Sequence, residues 1–487
     1  SLMQGAPNCR TFENKTLKDI VSEIVKPYTE IQPQISPRFN EKIPYVVQYN
    51  QSDYAFLTML AVRFGEWMYS TGEKFIFGKM EDYGSSADLE YPGGSLMSYG
   101  LNQTVSPFAF SHILPDHYQF GSGNAFTKKA AETGDSGKSN QWAALAYTAS
   151  QNRYKTNQLT ALSAGGFDDG KESEGVDTIL DYSLKIEAEG LKTGLMTVHG
   201  FSKLAMLKIG QTFRICDGVK NDSIQKSDLN QEDLMVIGIN HSFDYSQEYS
   251  NSFTAIPISC KYPSYSDAAA HAVAAPQRAK VVENEDEQKL GRIRVQFPWQ
   301  EAQGKEMKTP WLRIAVPYAG AAKGLQFVPE IGEEVMVGFE MNNAERPYVI
   351  GTFYNGGSGK PDEDWAVSKK DKGTTNNIKA IRTRNGHTIL FNDKGDAGVL
   401  EIYDDKDNTY HITLSADDKK ITVYSAGQIE VVADSDINVT SKGDIGVKAD
   451  GKIGIKAKGN IAIESDANIS MNAKKEVSIQ ASKVKVR

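Results

Sequence analysis

The sequence predicts a mainly β protein that ends in one wall of an intertwined, triple-stranded β-helix, and so a homotrimer. Three features point there: a strict eight-residue repeat at the C-terminal end, dense short strand patterns before it, and strong helical periods only near the start. Eight consecutive units occupy Ile421 to Val484, each opening with an apolar–any–apolar triplet. The first places hold Ile421, Ile429, Ile437, Ile445, Ile453, Ile461, Ile469 and Val477, and the third places hold Val423, Val431, Val439, Val447, Ile455, Ile463, Met471 and Ile479. Alternation with a period of two marks a strand. The fifth places (Ser425, Ala433, Ser441, Ala449, Ala457, Ser465, Ala473, Ala481) are all Ser or Ala, and glycine recurs two places on at Gly427, Gly443, Gly451 and Gly459. Each unit therefore reads as one short strand and one tight corner.

A strand with two inward side chains cannot enclose a core. Single-chain solenoids close with several non-equivalent strands per coil, whereas these units are all alike. Three identical chains wound together satisfy every unit at once, each supplying one side of a prism. The first- and third-place residues are then the trimer core. At about 1.5–3 kcal/mol per buried aliphatic side chain they represent on the order of 25–45 kcal/mol per chain, an upper bound that exists only in the trimer. The sixth places Asp434, Lys442, Asp450, Lys458, Asp466 and Lys474 alternate in sign. Either they meet between subunits and penalise a one-unit slip, or they are a solvated face with charges in chance order. Exposed pairs contribute below about 1 kcal/mol each, so register rather than stability would be their use.

At 487 residues and 40% hydrophobic content the chain is too long for one ordinary core, and about three domains are expected. A net charge of −8 without a basic concentration gives no electrostatic case for binding nucleic acid. No apolar run approaches membrane-spanning length and no signal-peptide pattern opens the sequence, so any export is expected to take another route. The three cysteines (Cys9, Cys216, Cys260) are few and far apart, as in a reducing cytosol, and are expected to be buried small hydrophobes.

Along the chain, the opening segment reads as a strand and then a helix carrying Leu17, Ile20, Val21, Ile24 and Val25 on one face. Thr16 and Asp19 form a capping-box start, and Pro27 ends the helix. A second helix starts near Ser52, carries Phe56, Leu57, Leu60, Ala61 and Phe64, and stops at Gly65. Residues 67–78 predict a hairpin around Thr71-Gly72, and short strands and turns dominate onward to about Tyr265. Ala268 to Gln288, Ala-rich and then acidic, reads as a connector. Strand patterns at Ile293/Val295/Phe297, Leu312/Ile314/Val316, Val335/Val337/Phe339 and Tyr348 to Phe353 predict a compact OB-type β-barrel. Nine Lys/Arg against eleven Asp/Glu between Lys280 and Gly356 argue against a groove that tracks phosphates. The Gly/Ser/Pro stretch from Gly356 to Asp371 leads into the final segment.

GRIRVQFPW (Gly291 to Trp299), TPWLRIAVPYAG (Thr309 to Gly320), PEIGEEVMVGFE (Pro329 to Glu340) and ERPYVIGTFYNG (Glu345 to Gly356) together closely resemble VgrG proteins, the spikes of bacterial type VI secretion. VQYNQSDYAFL (Val47 to Leu57), NSFTAIP (Asn251 to Pro257) and IRTRNGHTILFND (Ile381 to Asp393) agree in the family's order. The resemblance implies a phage-hub-like β-barrel domain with a few helices over 1–275, an OB-fold collar over 276–356, a linker over 357–378 and a needle over 379–487. It also implies a further β sub-barrel upstream of the matching region, so the sequence is expected to begin partway into the hub. Some relatives carry an enzyme after the needle, or between collar and needle. Here a short loop separates Trp365 from Ile378 and the sequence stops at Arg487, so neither is expected.

The remaining chemical motifs are weak. Gly134-Asp135-Ser136-Gly137 imitates a serine-protease nucleophile, and Gly137-Lys138-Ser139 imitates the end of a phosphate loop. Glu132 stands where that loop needs glycine, and no second motif supports a triad, so a polar surface loop is expected. His112, Asp116 and His117 are spaced across Pro115 in a way that does not put ligands on one helical face. His387 reads as a turn or packing residue, and Glu333 and Glu334 point opposite ways on a strand. No catalytic, metal or cofactor site is expected. The function implied is a mechanical spike, assembled in the bacterial cytoplasm and exported on firing. Its hub would meet an Hcp-like tube and the baseplate, and its blunt tip (Lys483, Val484, Lys485, Val486, Arg487) would take a PAAR-repeat cap by strand addition, possible effectors included. A tail spike of a phage-like injection particle is the alternative.

Overall fold

Thr16 and Asp19 start the first helix as their spacing predicts. In α1 (Leu17–Val25) the Thr16 hydroxyl accepts from the Asp19 N–H at 3.2 Å and the Asp19 carboxylate accepts from the Thr16 N–H at 3.3 Å, while all five predicted apolar residues are buried. In α2 (Asp53–Arg63) the Ser52 hydroxyl accepts from the Ala55 N–H at 3.2 Å, and Gly65 follows the C-terminal end at φ +59°. The strands Asn8–Thr16 and Lys42–Gln51 pair antiparallel, and Trp67–Ser70 with Lys74–Gly78 forms the predicted hairpin. Gly78 has φ +122°, and a Cβ there would lie 2.2 Å from the Ser36 carbonyl, so the strand Gln32–Ser36 can run beside this one only because the residue is glycine. The computed structural model describes all residues except 1, 82, 84–85, 116–125, 131–139, 163–173, 221–222, 227–232, 244, 246–247, 305–306, 358, 363–364, 366–375, 395 and 487. It divides into Ser1–Glu363 and Asp364–Arg487.

A seven-stranded sheet fills the middle of the first unit. Its order is Ser223–Lys226, Thr212–Lys220, Leu234–Phe243, Tyr249–Pro257, Met196–Ser202 and Leu96–Gln103, with Ser86–Tyr91 pairing parallel to Thr212–Lys220. Phe253, from the NSFTAIP stretch, packs edge-on against Phe213 at 5.1 Å in its core. Two helices whose positions the sequence reading did not assign stand in the stretch where strands and turns dominate: α3 (Gln141–Arg153) and α4 (Glu174–Gly194). Asn140 caps α3 by accepting from the Trp142 and Ala143 N–H groups at 3.0 and 3.2 Å, a start signal that preceded an Ala-rich rather than an amphipathic run. Of the cysteines, Cys216 is buried, while Cys9 and Cys260 are only half-buried.

The predicted connector is in part a central strand. Gln277–Glu283 lies between Arg294–Gln296 and Glu334–Phe339, and Pro347–Thr352 completes the sheet. Its two core residues, Ala279 and Val281, alternate with charged neighbours, so composition concealed a half-buried strand. The predicted strand Leu312/Ile314/Val316 makes only bridges, Ile293 to Leu312 and Ile314 to Val349. These reach from one edge of the sheet to the other and close it into a small barrel. Its residues Val281, Val295, Phe297, Val335 and Val337 share one hydrophobic cluster with Phe12, Ile20, Val46, Phe56 and Leu60, so the N-terminal helices and the barrel have a common core.

Two buried ion pairs brace this unit, one joining α2 to the barrel and one within the barrel. Arg63, at the end of α2, donates from Nη1 and Nη2 to both Glu345 carboxylate oxygens at 2.8–3.1 Å and from Nε to the Ala270 carbonyl at 2.6 Å. Glu345 has no exposed side-chain surface. Arg292 grips Asp286 with two bonds of 2.9 Å, and these bonds hold the Asp286 carboxyl well below its ordinary 3.8, at about 2. The second unit begins with a five-stranded antiparallel meander: Ile378–Arg382, His387–Asn392, Val399–Asp404, Tyr410–Ser415 and Lys420–Ser425.

Arg63→Ala strands a buried carboxylate and is expected to cost about 3–5 kcal/mol in denaturant unfolding of the first unit. Because Asp286 titrates lower folded than unfolded, its ionised form stabilises the fold above about pH 4, and that contribution is lost as pH falls through about 2. Asp286→Asn is therefore expected to be less stable than the parent at pH 7 and to converge with it near pH 2, measured by unfolding across that range.

An exposed apolar ladder as the candidate functional site

Each meander strand carries the apolar–any–apolar triplet or part of it, and the pairing lines these up in two rows. Ile381, Ile389, Ile402, Ile412 and Val423 are successive cross-strand partners, and so are Phe391, Leu400, Leu414 and Ile421. Residues two apart on a strand share a face, so both rows lie on one side of the sheet. That side faces solvent: Ile381, Ile389, Phe391 and Leu414 are exposed, whereas Thr388 and Leu390, one step out of phase, are buried. The opposite face is satisfied within the chain. Arg382 donates from Nε to the Thr388 hydroxyl at 2.9 Å and lies 4.3 Å from the Trp365 ring centre, and His411 bonds Glu401 at 3.1 Å.

Val423 ends the first row and Ile421 the second, and they are the third and first places of the first octad. The ladder thus runs on from the meander into the repeat. This first unit differs from the sequence expectation of eight equivalent units, because its strand pairs antiparallel with Tyr410–Ser415 of the same chain. From residue 428 onward the described backbone is extended without a strand partner in the chain, and it bends at 434–435, 442–443, 450–451, 458–459, 466–467, 474–475 and 482. The corners fall where the fifth-place residues predict. Where these are serine, the hydroxyl closes the corner by accepting an N–H two residues on: Ser425 from Gly427, Ser441 from Gly443 and Ser465 from Ala467, at 3.1–3.2 Å. Every first- and third-place aliphatic is exposed, from 51% at Val477 to 75% at Ile455. So many apolar side chains in one file far exceed the patch an isolated soluble chain ordinarily shows.

The other candidates come to little. His112 is fully buried, with Nδ1 against the Ser183 hydroxyl at 2.9 Å and Nε2 against the Glu187 carboxylate at 2.7 Å, so both ring nitrogens are engaged by α4. Asp116, His117, Glu132 and Gly134 to Ser139 lie outside the described residues, as does Arg487 at the tip. His387 packs flat against Tyr410, its Nδ1 3.0 Å from the phenol oxygen. Glu334 opens a barrel strand and meets Arg278 at 3.4 Å, whereas Glu333 closes a turn by accepting from the Glu330 N–H at 3.0 Å. The meander rows were the functional feature that the repeat concealed. The same triplet is present there, but its spacing is irregular, and a search at period eight passes over it.

The sequence pattern of the phage tail baseplate hub (GPD) family matches residues 1–244, half of the chain. That of the type VI secretion system/phage-baseplate injector OB domain matches residues 277–354, the barrel closed by Ile293, Leu312, Ile314 and Val349. The type VI secretion system spike protein VgrG1b of Pseudomonas aeruginosa is 30% identical over 145 residues, 29% of this chain and 20% of that protein. The actin cross-linking toxin VgrG1 of Vibrio cholerae is 26% identical over 187 residues, 35% of this chain and 16% of that protein. The chain thus covers a fifth or less of the length of these relatives. In structure, a chain of the lidded Francisella PdpA–VgrG complex shares the fold with a TM-score of 0.50 at 10% identity, covering 87% of this chain and 64% of that one. No helix among the described residues is long and apolar enough to cross a membrane. A hub pattern spanning half of the sequence, an injector barrel directly after it and spike proteins as relatives converge, and the chain belongs to the phage tail baseplate hub family, with VgrG spikes among its homologues.

Proposed function

We propose that three copies of this chain form the spike of a type VI secretion apparatus, a structural device that punctures a target envelope and performs no chemistry of its own. The carrying observation is the continuous apolar ladder from Ile381 to Ile479, most of which the described residues of its own chain leave uncovered. In the trimer the octads wind into a triple-stranded β-helix with that ladder inside, and the meander's exposed face packs against its two copies. Every strand is then hydrogen-bonded on both sides, which leaves no lateral edge to unzip under load. The kinship to spike proteins supports the setting. The first unit sits on the secreted tube and the baseplate, and residues 483–487 are the docking segment for a PAAR-repeat cap with any effector attached to it. The assembled spike waits in the bacterial cytoplasm and leaves on firing.

Mass measurement of purified chain is expected to give three copies. Ile453→Asp sets three carboxylates on the apolar axis, at a desolvation cost no neighbour repays, and is expected to abolish assembly while Ile453→Leu preserves it. A folded single copy, or an unchanged trimer from Ile453→Asp, would overturn the reading. Deleting residues 483–487 is expected to leave the trimer intact and to abolish pull-down of a PAAR-repeat protein.

A further inference from the structure

A cavity of about 320 Å³ lies in the first unit, where the residues after Lys74–Gly78 meet those after Tyr249–Pro257 beside the start of Leu234–Phe243. Its lining is of two kinds. Met80, Met235 and Cys260 belong to an apolar cluster with Trp67 and Ile256, and Ile258 extends that wall. Arg38, Lys79, Glu81 and Lys261 supply charge. Two of these four are already spent. Arg38 donates to the Glu66 carboxylate at 2.9 Å and to the Lys261 carbonyl at 2.5 Å, while Glu81 accepts from the Lys74 ammonium at 2.7 Å and the Tyr83 hydroxyl at 2.8 Å. Lys79 and Lys261 are exposed and, among the described residues, neither ammonium pairs with a carboxylate. An apolar cavity thus carries two uncompensated cations.

We propose that this cavity binds a small amphipathic anion, a molecule with one carboxylate and a short apolar tail. Size sets the class. Pockets for small molecules run from about 300 to 1,000 Å³, so this one, at the lower end, suits a tail of several carbons rather than a nucleotide. The tail leaves water for the surfaces of Met80, Met235 and Ile258, and that burial supplies the affinity. Lys79 and Lys261 supply the selection, because a neutral head leaves both without a counter-charge and a cationic head is repelled. A bare inorganic anion would engage the lysines and leave the apolar wall wet. Every lining residue comes from one chain, so the site stands apart from the trimeric reading above.

The test titrates the full chain with sodium octanoate by calorimetry at low ionic strength, with octanamide and acetate for comparison. Octanoate is expected to bind, and octanamide and acetate each to bind about tenfold more weakly or worse. Lys79→Ser with Lys261→Ser, both at exposed positions, is expected to weaken octanoate about fivefold and to leave octanamide unchanged. Saturating octanoate is also expected to slow alkylation of Cys260 by N-ethylmaleimide at least about fivefold, read by peptide mass, while Cys9 reacts at its ordinary rate. Absence of octanoate binding, binding that survives the lysine pair, or Cys260 left unprotected would each overturn the site. The second of these is also what adsorption to the exposed octad ladder would give, so the lysine pair separates the two. None of these results bears on the proposed spike.

Discussion

One geometric constraint governs the C-terminal unit: a strand that turns inward only two side chains cannot close a core around itself. Side chains at the first and third places are aliphatic in every octad, yet the chain alone leaves each of them mostly in water. The hydrophobic free energy available there is large compared with the 5–15 kcal/mol that stabilises an ordinary domain, and it is released only when another surface covers the ladder. The meander shows how the chain prepares for this. It supplies its own antiparallel pairing and satisfies its polar face with Arg382, Thr388, Glu401 and His411, while presenting the two apolar rows outward in step with the octads. Backbone order there comes from within one chain, and core formation is deferred.

The first unit solves the opposite problem. Its elements come from distant stretches of sequence, and the apolar core that α2 shares with the barrel is non-directional. A bidentate pair between Arg63 and Glu345 fixes that junction, because guanidinium and carboxylate meet well in few orientations. Glu66 does the same elsewhere, accepting from the Arg38 and Phe39 N–H groups and from the Arg38 guanidinium. Burial pushes its carboxyl up from the usual range, against the bonds that hold it down. Such pairs trade stability for orientation.

The mechanical role proposed for this chain would leave few chemical signatures. The imidazole of His112, one of three residues weighed for a metal site in the sequence, is spent joining a sheet to α4 through Ser183 and Glu187. The informative residues are the ordinary aliphatics, and what marks them is their placement: one face, one file, no cover.

Local signals settled much by themselves. Thr16 with Asp19, and Ser52 with Gly65, gave both N-terminal helices to within a residue or two, because capping is a property of a few adjacent side chains. The octad and its corners were legible for the same reason, since period and turn chemistry are local. The strand Gln277–Glu283 was not, because its two small core residues gain meaning only when the barrel places Val335 and Val295 across from them. α3 was not placed because its Asn140 cap precedes an Ala-rich run with no amphipathic period. The alignment of Ile381, Ile389, Ile402, Ile412 and Val423 into one row was decided by hairpin lengths that set register between strands. The sequence by itself determined the helix caps, the octad period and its corners; only the tertiary structure decided which apolar residues the chain buries alone, because burial needs a partner surface and pairing alone does not supply one.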